Sequence, residues 1–263
     1  MNPQLQKPVL VTGASGNIGR FLVKRLAQEG WTLRLSDIVP FPDPLPERSK
    51  FIRCDLGDPL EVMRLVEGCG VIAHFGGAAH DQFPFETFVD ANVRGVYHIY
   101  EGARRERARV IFASSNHVTG FHERREKLDV DTQMLPDSIY GVTKAYAELL
   151  ARLYWMKHKV QSVLLRIGSC FPEPSDQRML SLWLSYPDIA ELVVAAAKAD
   201  EVGCEVIWGA SNNSRTFWGR DDRDRIGWQP RESADGYADR LLGKVSDNPI
   251  AEKYQGGIYC DRG

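Results

Sequence analysis

The sequence has no long apolar run. Its longest uninterrupted apolar stretch is about six residues, Leu192 to Ala197, whereas a helix that crosses a bilayer needs about 20. The first ten residues also lack the basic segment followed by an apolar segment that is typical of a secretory signal. We therefore expect no membrane association and a location in the cytoplasm.

Cysteines are few and show no pairing pattern. The five cysteines are odd in number, widely spaced and free of any C-x-x-C pattern. This argues against a disulfide framework or a zinc site and is typical of a protein of a reducing compartment. We expect no bound metal.

Charge of neither sign is in excess. The 33 basic and 35 acidic side chains give a formal net charge of −2, so the chain has no overall attraction to nucleic acid or to an anionic membrane. Hydrophobic residues make up 43% of the 263 positions, which is enough for the core of one large domain. We therefore expect a small molecule, and not a nucleic acid, as the binding partner.

The first two thirds of the sequence alternate short apolar runs with amphipathic stretches. The runs predict strands at 8–12, 33–37, 51–54, 71–75, 109–113 and 162–167, and the stretches predict helices at 17–29, 60–67, 87–105 and 140–158. Strands regularly separated by helices form a parallel sheet with right-handed crossovers. After Gly168 prolines break the rhythm, with a helix expected at 188–199 and a strand at 205–208. We predict an α/β, doubly wound parallel sheet (a Rossmann fold) over 1–168, and a small irregular substrate-binding portion over 169–263 that is interleaved with it in one compact unit.

A glycine-rich turn joins the first predicted strand to the first predicted helix. It contains Gly13, Gly16, Asn17, Ile18 and Gly19. Glycine can adopt positive φ and lets a pyrophosphate approach the backbone, while the helix N-terminus supplies N–H groups and positive partial charge. Three glycines at this spacing also occur in ordinary tight turns. Their position between the first strand and its helix favours a dinucleotide site.

Two aspartates follow the next two strands. Asp37 lies 18 residues beyond Gly19, where a carboxylate can bind both hydroxyls of an adenosine ribose and would repel a 2′-phosphate. No arginine directly follows it, so we expect NAD and not NADP. Asp55 is placed where it can meet the adenine amino group, although by itself it is no more than a turn aspartate.

A tyrosine and a lysine lie one turn apart at the start of a predicted helix. Tyr140 and Lys144 occupy positions i and i+4 and therefore share a face. A phenol with a pKa of about 10 is a poor base at neutral pH, but a neighbouring ammonium and an oxidised nicotinamide both favour the phenolate. Ser115 ends the fifth strand, at the sheet edge that lines the ligand crevice, where it can hydrogen-bond the same substrate oxygen. His117 taken alone is more typical of a structural histidine.

Together these features resemble the extended short-chain dehydrogenase/reductases. The glycine turn, the two aspartates, Asn92, Ser115 and the tyrosine–lysine pair occur in the order and spacing of that family. Within it the sequence is most similar to the uronate dehydrogenases. The segments that carry this similarity are 112–117, 136–141, 166–174, 178–180, 208–211 and 254–257.

The resemblance implies roles for the matching residues. Tyr140 would be the base, Lys144 would hold the nicotinamide ribose and tune Tyr140, and Ser115 would orient the reacting oxygen. The cofactor NAD would be bound by Gly13, Gly16, Asn17, Ile18, Gly19, Asp37, Asp55, Leu56, Phe75, Gly76, Gly77, Asn92, Lys144 and Cys170.

The same resemblance implies a substrate site. Asn116, His117 and Ser169 would bind sugar hydroxyls, and Arg178 would hold the substrate carboxylate. In one stretch the sequence departs from the uronate dehydrogenases, which typically place a sugar-contacting serine after the two glycines. Here the corresponding loop reads Ala78-Ala79-His80 and is one residue longer, so Ala79 would line the substrate site without a hydroxyl.

The sequence thus predicts an enzyme that oxidises C1 of a cyclic hexuronate, glucuronate or galacturonate, to the aldarolactone with NAD. The same chemistry on another aldose with an anion at C6, such as a sulfonate, stays open because Arg178 can hold either anion. A nucleotide-sugar epimerase or dehydratase is disfavoured by the short portion after Gly168. A non-catalytic dinucleotide sensor is disfavoured by the complete tyrosine–lysine pair with Ser115. The preferred sugar and its anomer stay open, and the family implies a homo-oligomer.

Overall fold

The computed structural model describes residues 3–262. Its strands are β1 (Val9–Thr12), β2 (Leu33–Asp37), β3 (Ser49–Arg53), β4 (Val71–His74), β5 (Arg109–Ser115), β6 (Ser162–Ile167), β7 (Ser169–Cys170), β8 (Trp183–Leu184) and β9 (Cys204–Gly209). Seven of them form one sheet in the order β3-β2-β1-β4-β5-β6-β9, with every neighbouring pair parallel. The predicted doubly wound parallel sheet is confirmed.

Helices cover both faces of this sheet. They are α1 (Asn17–Gln28), α2 (Pro59–Val66), α3 (Phe85–Thr87), α4 (Gly95–Glu106), α5 (Ile139–His158), α6 (Met179–Leu182), α7 (Tyr186–Lys198), α8 (Ala238–Leu241) and α9 (Pro249–Lys253). Helices α1 and α7 pack on one face, and α2, α4 and α5 pack on the other. Strand residues alternate between the two cores, as Leu10 and Val11 do. Among residues 3–262 no helix is long and apolar enough to span a membrane.

The portion after Gly168 contributes to the main sheet. Strand β9 forms its last strand beside β6, and α7 packs against α1. The short strands β7 and β8 pair with each other just beyond the end of β6. Residues on both sides of Gly168 therefore contribute to both hydrophobic cores.

Helix starts follow local capping chemistry. Ser138 begins α5 because its hydroxyl accepts a hydrogen bond from Gly141 N, and Asp58 caps α2 in the same way ahead of Pro59. The α5 cap fixes where Tyr140 lies in the first turn of that helix.

The helix predicted over 87–105 is confirmed in extent, since residues 85–106 are helical without a break, but the sequence did not predict a change in its hydrogen bonding. A π-helical segment, Phe88–Arg94, separates α3 from α4. Hydrophobic periodicity does not register one extra residue per turn, and such segments often occur at functional sites. Asn92 lies buried within it.

Candidate active site

The carboxyl ends of β1, β4, β5 and β6 line a cavity of about 940 Å³. It lies where the strand order reverses between β1 and β4, the usual ligand crevice of such sheets. Most of the site residues predicted from the sequence line this cavity: Gly13, Gly16, Asn17, Ile18, Gly19, Phe75, Gly76, Gly77, Ala79, Ser115, Asn116, His117, Tyr140, Lys144, Ser169, Cys170 and Arg178. Four predicted cofactor residues, Asp37, Asp55, Leu56 and Asn92, are not part of that lining.

The glycine turn forms a close-fitting cradle. Gly13 has a φ of +67°, and a Cβ there would lie 2.6 Å from the carbonyl carbon of Phe75. A Cβ at Gly19 would lie 2.1 Å from the Gly13 carbonyl oxygen. Helix α1 has no side-chain cap at Gly16, so its first-turn N–H groups are available to an anion. These residues fit the pyrophosphate of a dinucleotide.

Asp37 lies beside this turn. Its carboxylate accepts hydrogen bonds from Ser15 N at 3.1 Å and from Ile38 N at 2.8 Å. The side chain is held at the end of β2, next to the glycine turn. Asp55 is exposed and accepts a bond from Gly57 N.

Asn92 and Leu56 support the loop that follows β4. The Asn92 amide accepts a hydrogen bond from Ala78 N and donates to Ala78 O and to the Thr143 hydroxyl. It thereby ties the loop to α5. The Leu56 side chain lies 3.0 Å from the position a Cβ on Gly76 would take.

Tyr140, Lys144 and Ser115 converge at the centre of the cavity. Tyr140 and Lys144 are buried in the first two turns of α5. The Lys144 ammonium donates to Ala113 O at 2.8 Å and lies 5.5 Å from the centre of the Tyr140 ring. The Ser115 hydroxyl accepts from His117 N at 3.2 Å. The predicted trio is therefore assembled by the end of β5 and the start of α5.

Burial dominates the protonation of this trio. It raises the pKa of Tyr140 well above its usual value, while the Ser115 hydroxyl acts in the opposite direction. Burial lowers the pKa of Lys144 to about 8. In the protein alone, desolvation of the phenolate is the largest effect on the Tyr140 pKa. That the ammonium and an oxidised nicotinamide together lower this pKa stays a prediction. A cation placed in the cavity would shift the balance towards phenolate.

His117 is fixed by a carboxylate that the sequence analysis missed. Its Nδ1 lies 2.6 Å from an Asp137 carboxylate oxygen, and the Asp137 side chain is fully buried. The imidazole also stacks on Tyr259, with ring centres 3.9 Å apart. A proton on Nδ1 that is donated to Asp137 leaves Nε2 as an acceptor. Asp137 stands within the segment 136–141 that carried the family resemblance, but nothing in the sequence pointed to Tyr259.

Arg178 brings a positive charge to the cavity. Its Nε donates to Gln255 O at 2.7 Å. In the amide orientation that satisfies Asn116, the Asn116 oxygen accepts from Arg178 Nη2 at 3.3 Å. Within residues 3–262 no carboxylate forms an ion pair with Arg178. Burial lowers its pKa to about 10, so at neutral pH it is a cation without a protein counter-ion.

The remaining predicted contacts lie on the short strand β7 and on the loop after β4. Ser169 and Cys170 follow β6, and burial raises the pKa of the Cys170 thiol, which therefore stays protonated. Ala79 is exposed to the cavity in the loop after β4.

Comparisons with known proteins agree with this geometry. Residues 9–222 match the model of the NAD dependent epimerase/dehydratase family. A uronate dehydrogenase of Pseudomonas syringae pv. tomato is 39% identical, with 97% of this chain and 94% of that protein covered. The crystal structure of uronate dehydrogenase from Agrobacterium tumefaciens superimposes with a TM-score of 0.92 at 39% identity, covering 98% of this chain and 97% of that one. That of glucuronic acid dehydrogenase from Chromohalobacter salexigens gives a TM-score of 0.92 at 36% identity, with 97% of each chain covered. The chain therefore belongs to the NAD dependent epimerase/dehydratase family, in which its sequence and fold are similar to those of uronate dehydrogenases over almost the whole length.

Proposed function

We propose that this protein oxidises C1 of a cyclic hexuronate, glucuronate or galacturonate, to the aldarolactone, with NAD as the cofactor. The family and its full-length similarity to uronate dehydrogenases support this reaction. The observation that carries the choice of substrate is the guanidinium of Arg178, which shares one cavity with Ser115, Tyr140 and Lys144.

When NAD is bound, it accepts a hydride from the substrate carbon. The glycine turn and the first-turn amides of α1 would hold its pyrophosphate. Asp37 would bind the adenosine ribose, and Lys144 would reach the nicotinamide ribose. Asn92 would act indirectly, by holding the loop at Gly77 and Ala78 in place.

Tyr140 and Ser115 would act on the reacting oxygen. The Ser115 hydroxyl would orient the C1 hydroxyl, and the Tyr140 phenolate would take its proton as the hydride leaves C1. Lys144 donates to Ala113 O and is thereby held close to the Tyr140 ring, from where its charge favours the phenolate.

The rest of the sugar would be held by fixed polar groups. Arg178 would grip the carboxylate with two charge-assisted hydrogen bonds. His117, oriented by Asp137, would accept a hydrogen bond at Nε2 from a ring hydroxyl. Asn116, which accepts a hydrogen bond from Arg178, would bind a neighbouring hydroxyl.

The test compares charged and neutral sugars in wild type and in Arg178→Ala. NADH formation is followed with glucuronate or galacturonate and with glucose or galactose. Loss of a charge-assisted interaction costs about 1.5–3 kcal/mol, so kcat/KM on the uronates should fall about 10- to 150-fold. On the neutral sugars the substitution should have little effect, because they offer no anion.

Arg105→Ala is the matched control, since Arg105 is exposed on α4 and does not line the cavity. It should leave all four rates unchanged. Equal loss on charged and neutral sugars in Arg178→Ala would make Arg178 a structural residue. A wild-type preference for the neutral sugars would overturn the uronate assignment itself.

A further inference from the structure

The cavity does not end at Arg178. It continues into a region that we call the outer chamber, lined by Phe171, Lys244, Val245, Ser246 and Glu252. The backbone joins the two regions, because Gln177 N donates to Lys244 O at 3.0 Å directly before Arg178 in the chain. Ser246 N also donates to the Glu252 carboxylate at 2.9 Å. The outer chamber is therefore a continuation of the pocket that holds Arg178.

The charges of the outer chamber leave one cation without a counter-ion. Arg124 lines the same cavity, but its guanidinium pairs with Glu252 at 2.6 Å. Lys244 has no ion pair within the part of the chain that the structure describes. Apolar surface is open beside it, since Val245 is 53% and Phe171 49% exposed. A cation flanked by exposed apolar side chains suits a ligand that is itself both anionic and partly apolar, such as a sugar acid.

The positions of the substituents on a pyranose ring determine which oxygen of a bound sugar faces the outer chamber. C1 and C4 lie at opposite ends of the ring, and the carboxylate carbon is attached to C5, next to C4. With C1 at Tyr140 and the carboxylate at Arg178, as the proposed function requires, O4 is on the side away from the catalytic trio. O4 is also next to the carboxylate, and the outer chamber adjoins the Arg178 end of the cavity through the bond from Gln177 N to Lys244 O.

We propose that the outer chamber binds a second uronate residue attached through O4, so that the enzyme oxidises the reducing end of 4-linked diuronates as well as free hexuronates. The second carboxylate pairs with Lys244, and the second ring lies against Val245 and Phe171. At the reducing end the C1–H bond breaks with transfer of hydride to NAD⁺, which becomes NADH. The C1 hydroxyl loses its proton through Tyr140 to solvent, C1 becomes a lactone carbonyl, and the glycosidic bond stays intact. This inference rests on the proposed function.

The experiment measures NADH formation from galacturonate and from 4-linked digalacturonate, with mass spectrometry to show that the oxidised product is still a dimer. Wild type should oxidise the dimer with a kcat/KM within about tenfold of that for the monomer, because the second residue adds contacts of surface strength only. Lys244→Ala should lower the dimer-to-monomer ratio of kcat/KM about two- to fivefold, and Lys244→Glu should lower it further through like-charge repulsion. Lys157→Ala, an exposed lysine on α5 outside the cavity, should leave the ratio unchanged.

The outcomes separate this inference from the function on which it rests. If the enzyme oxidises galacturonate but its kcat/KM on the dimer is less than one hundredth of that on galacturonate, the binding of a second uronate in the outer chamber is overturned. The proposed function would still stand. An unchanged ratio in both Lys244 variants would remove Lys244 as the partner of the second carboxylate. No oxidation of either galacturonate or glucuronate would overturn the proposed function, and the inference that rests on it.

Discussion

At the scale of single residues, the site is built from groups whose ordinary properties are changed by burial. Desolvation raises the pKa of Tyr140 and lowers that of Lys144 to about 8, so in the protein alone both groups favour their neutral forms more than they do in water. The Ser115 hydroxyl is the group in contact that favours the phenolate. A Tyr140 phenolate therefore depends on positive charge inside the cavity, which would couple the proposed base to cofactor binding.

Removing the phenol tests this coupling. We expect Tyr140→Phe to lower kcat by a factor of about 10² or more, because a positioned proton acceptor is lost, while NAD binding persists. In wild type at saturating NAD, kcat/KM for the sugar should rise with pH, since only the deprotonated phenol accepts the proton. The measurement is a pH series of steady-state rates for both proteins, with NAD binding followed by fluorescence. Near-normal turnover in the variant would move the chemistry to another group.

At the scale of elements, the catalytic end of β5 rests on a buried ion pair. Glu148 of α5 and Arg166 of β6 pair at 2.8 Å, and both side chains are almost fully buried. The Glu148 carboxylate also accepts the Ser114 hydroxyl at 2.6 Å, directly before Ser115. Arg166 Nη1 donates to Val130 O, so the pair links α5, β5 and β6 behind the cavity.

Breaking this ion pair should destabilise the folded protein. We expect Glu148→Ala to lower the free energy of unfolding by about 3–5 kcal/mol, because it leaves a buried guanidinium without its counter-ion. Glu86→Ala, at an exposed glutamate of α3, is the control and should change it by no more than about 0.5 kcal/mol. Chemical denaturation of both variants measures the difference. A loss below about 1 kcal/mol in Glu148→Ala would show that the pair contributes little to stability.

Elements also show which parts of the site are readable from the sequence. The glycine turn and the Tyr140–Lys144 pair are local patterns of the sequence. The fold brings both to one cavity, because the turn follows β1 and the pair lies at the start of α5. The π-helical segment around Asn92 is not readable, because an apolar pattern fixes the face of a helix but not one added residue. The sequence therefore predicts the extent of this helix but not its π-helical segment.

At the scale of the whole molecule, the C-terminal segment lines the part of the cavity that contains His117 and Arg178. Tyr259 stacks on His117 across 142 residues of chain, and the Gln255 side chain donates to the carbonyls of Glu123 and Glu126. No local pattern encodes contacts between positions so far apart. For that reason the sequence analysis, which named Gly13, Tyr140 and Arg178 among the residues that line the cavity, gave no sign of Tyr259.

Cofactor binding should stabilise the whole molecule, because a ligand that binds only the folded state adds RT ln(1 + [L]/Kd). At 100 times its Kd, NAD should raise the free energy of unfolding by about 2.7 kcal/mol and the Tm by about 5–10 °C. NADP at the same concentration should give a much smaller shift, because Asp37 beside the glycine turn repels a 2′-phosphate. Thermal unfolding of wild type, Asp37→Ala and Asp37→Asn measures this.

The two Asp37 variants both remove the negative charge but differ in how many hydrogen-bond acceptors for the glycine turn they keep. The Asp37 carboxylate also accepts the amides of Ser15 and Ile38, so Asp37→Ala removes a local support of the turn together with the charge. Asp37→Asn removes the charge and keeps one of the two accepting oxygens, so it weakens the support of the turn less than Asp37→Ala does. If repulsion sets the cofactor preference, both variants should lose most of the difference between NAD and NADP, whereas Asp37→Ala should lower the Tm without ligand more than Asp37→Asn does. An equal Tm shift with NAD and NADP in wild type would remove Asp37 from cofactor selection, whatever its part in holding the turn.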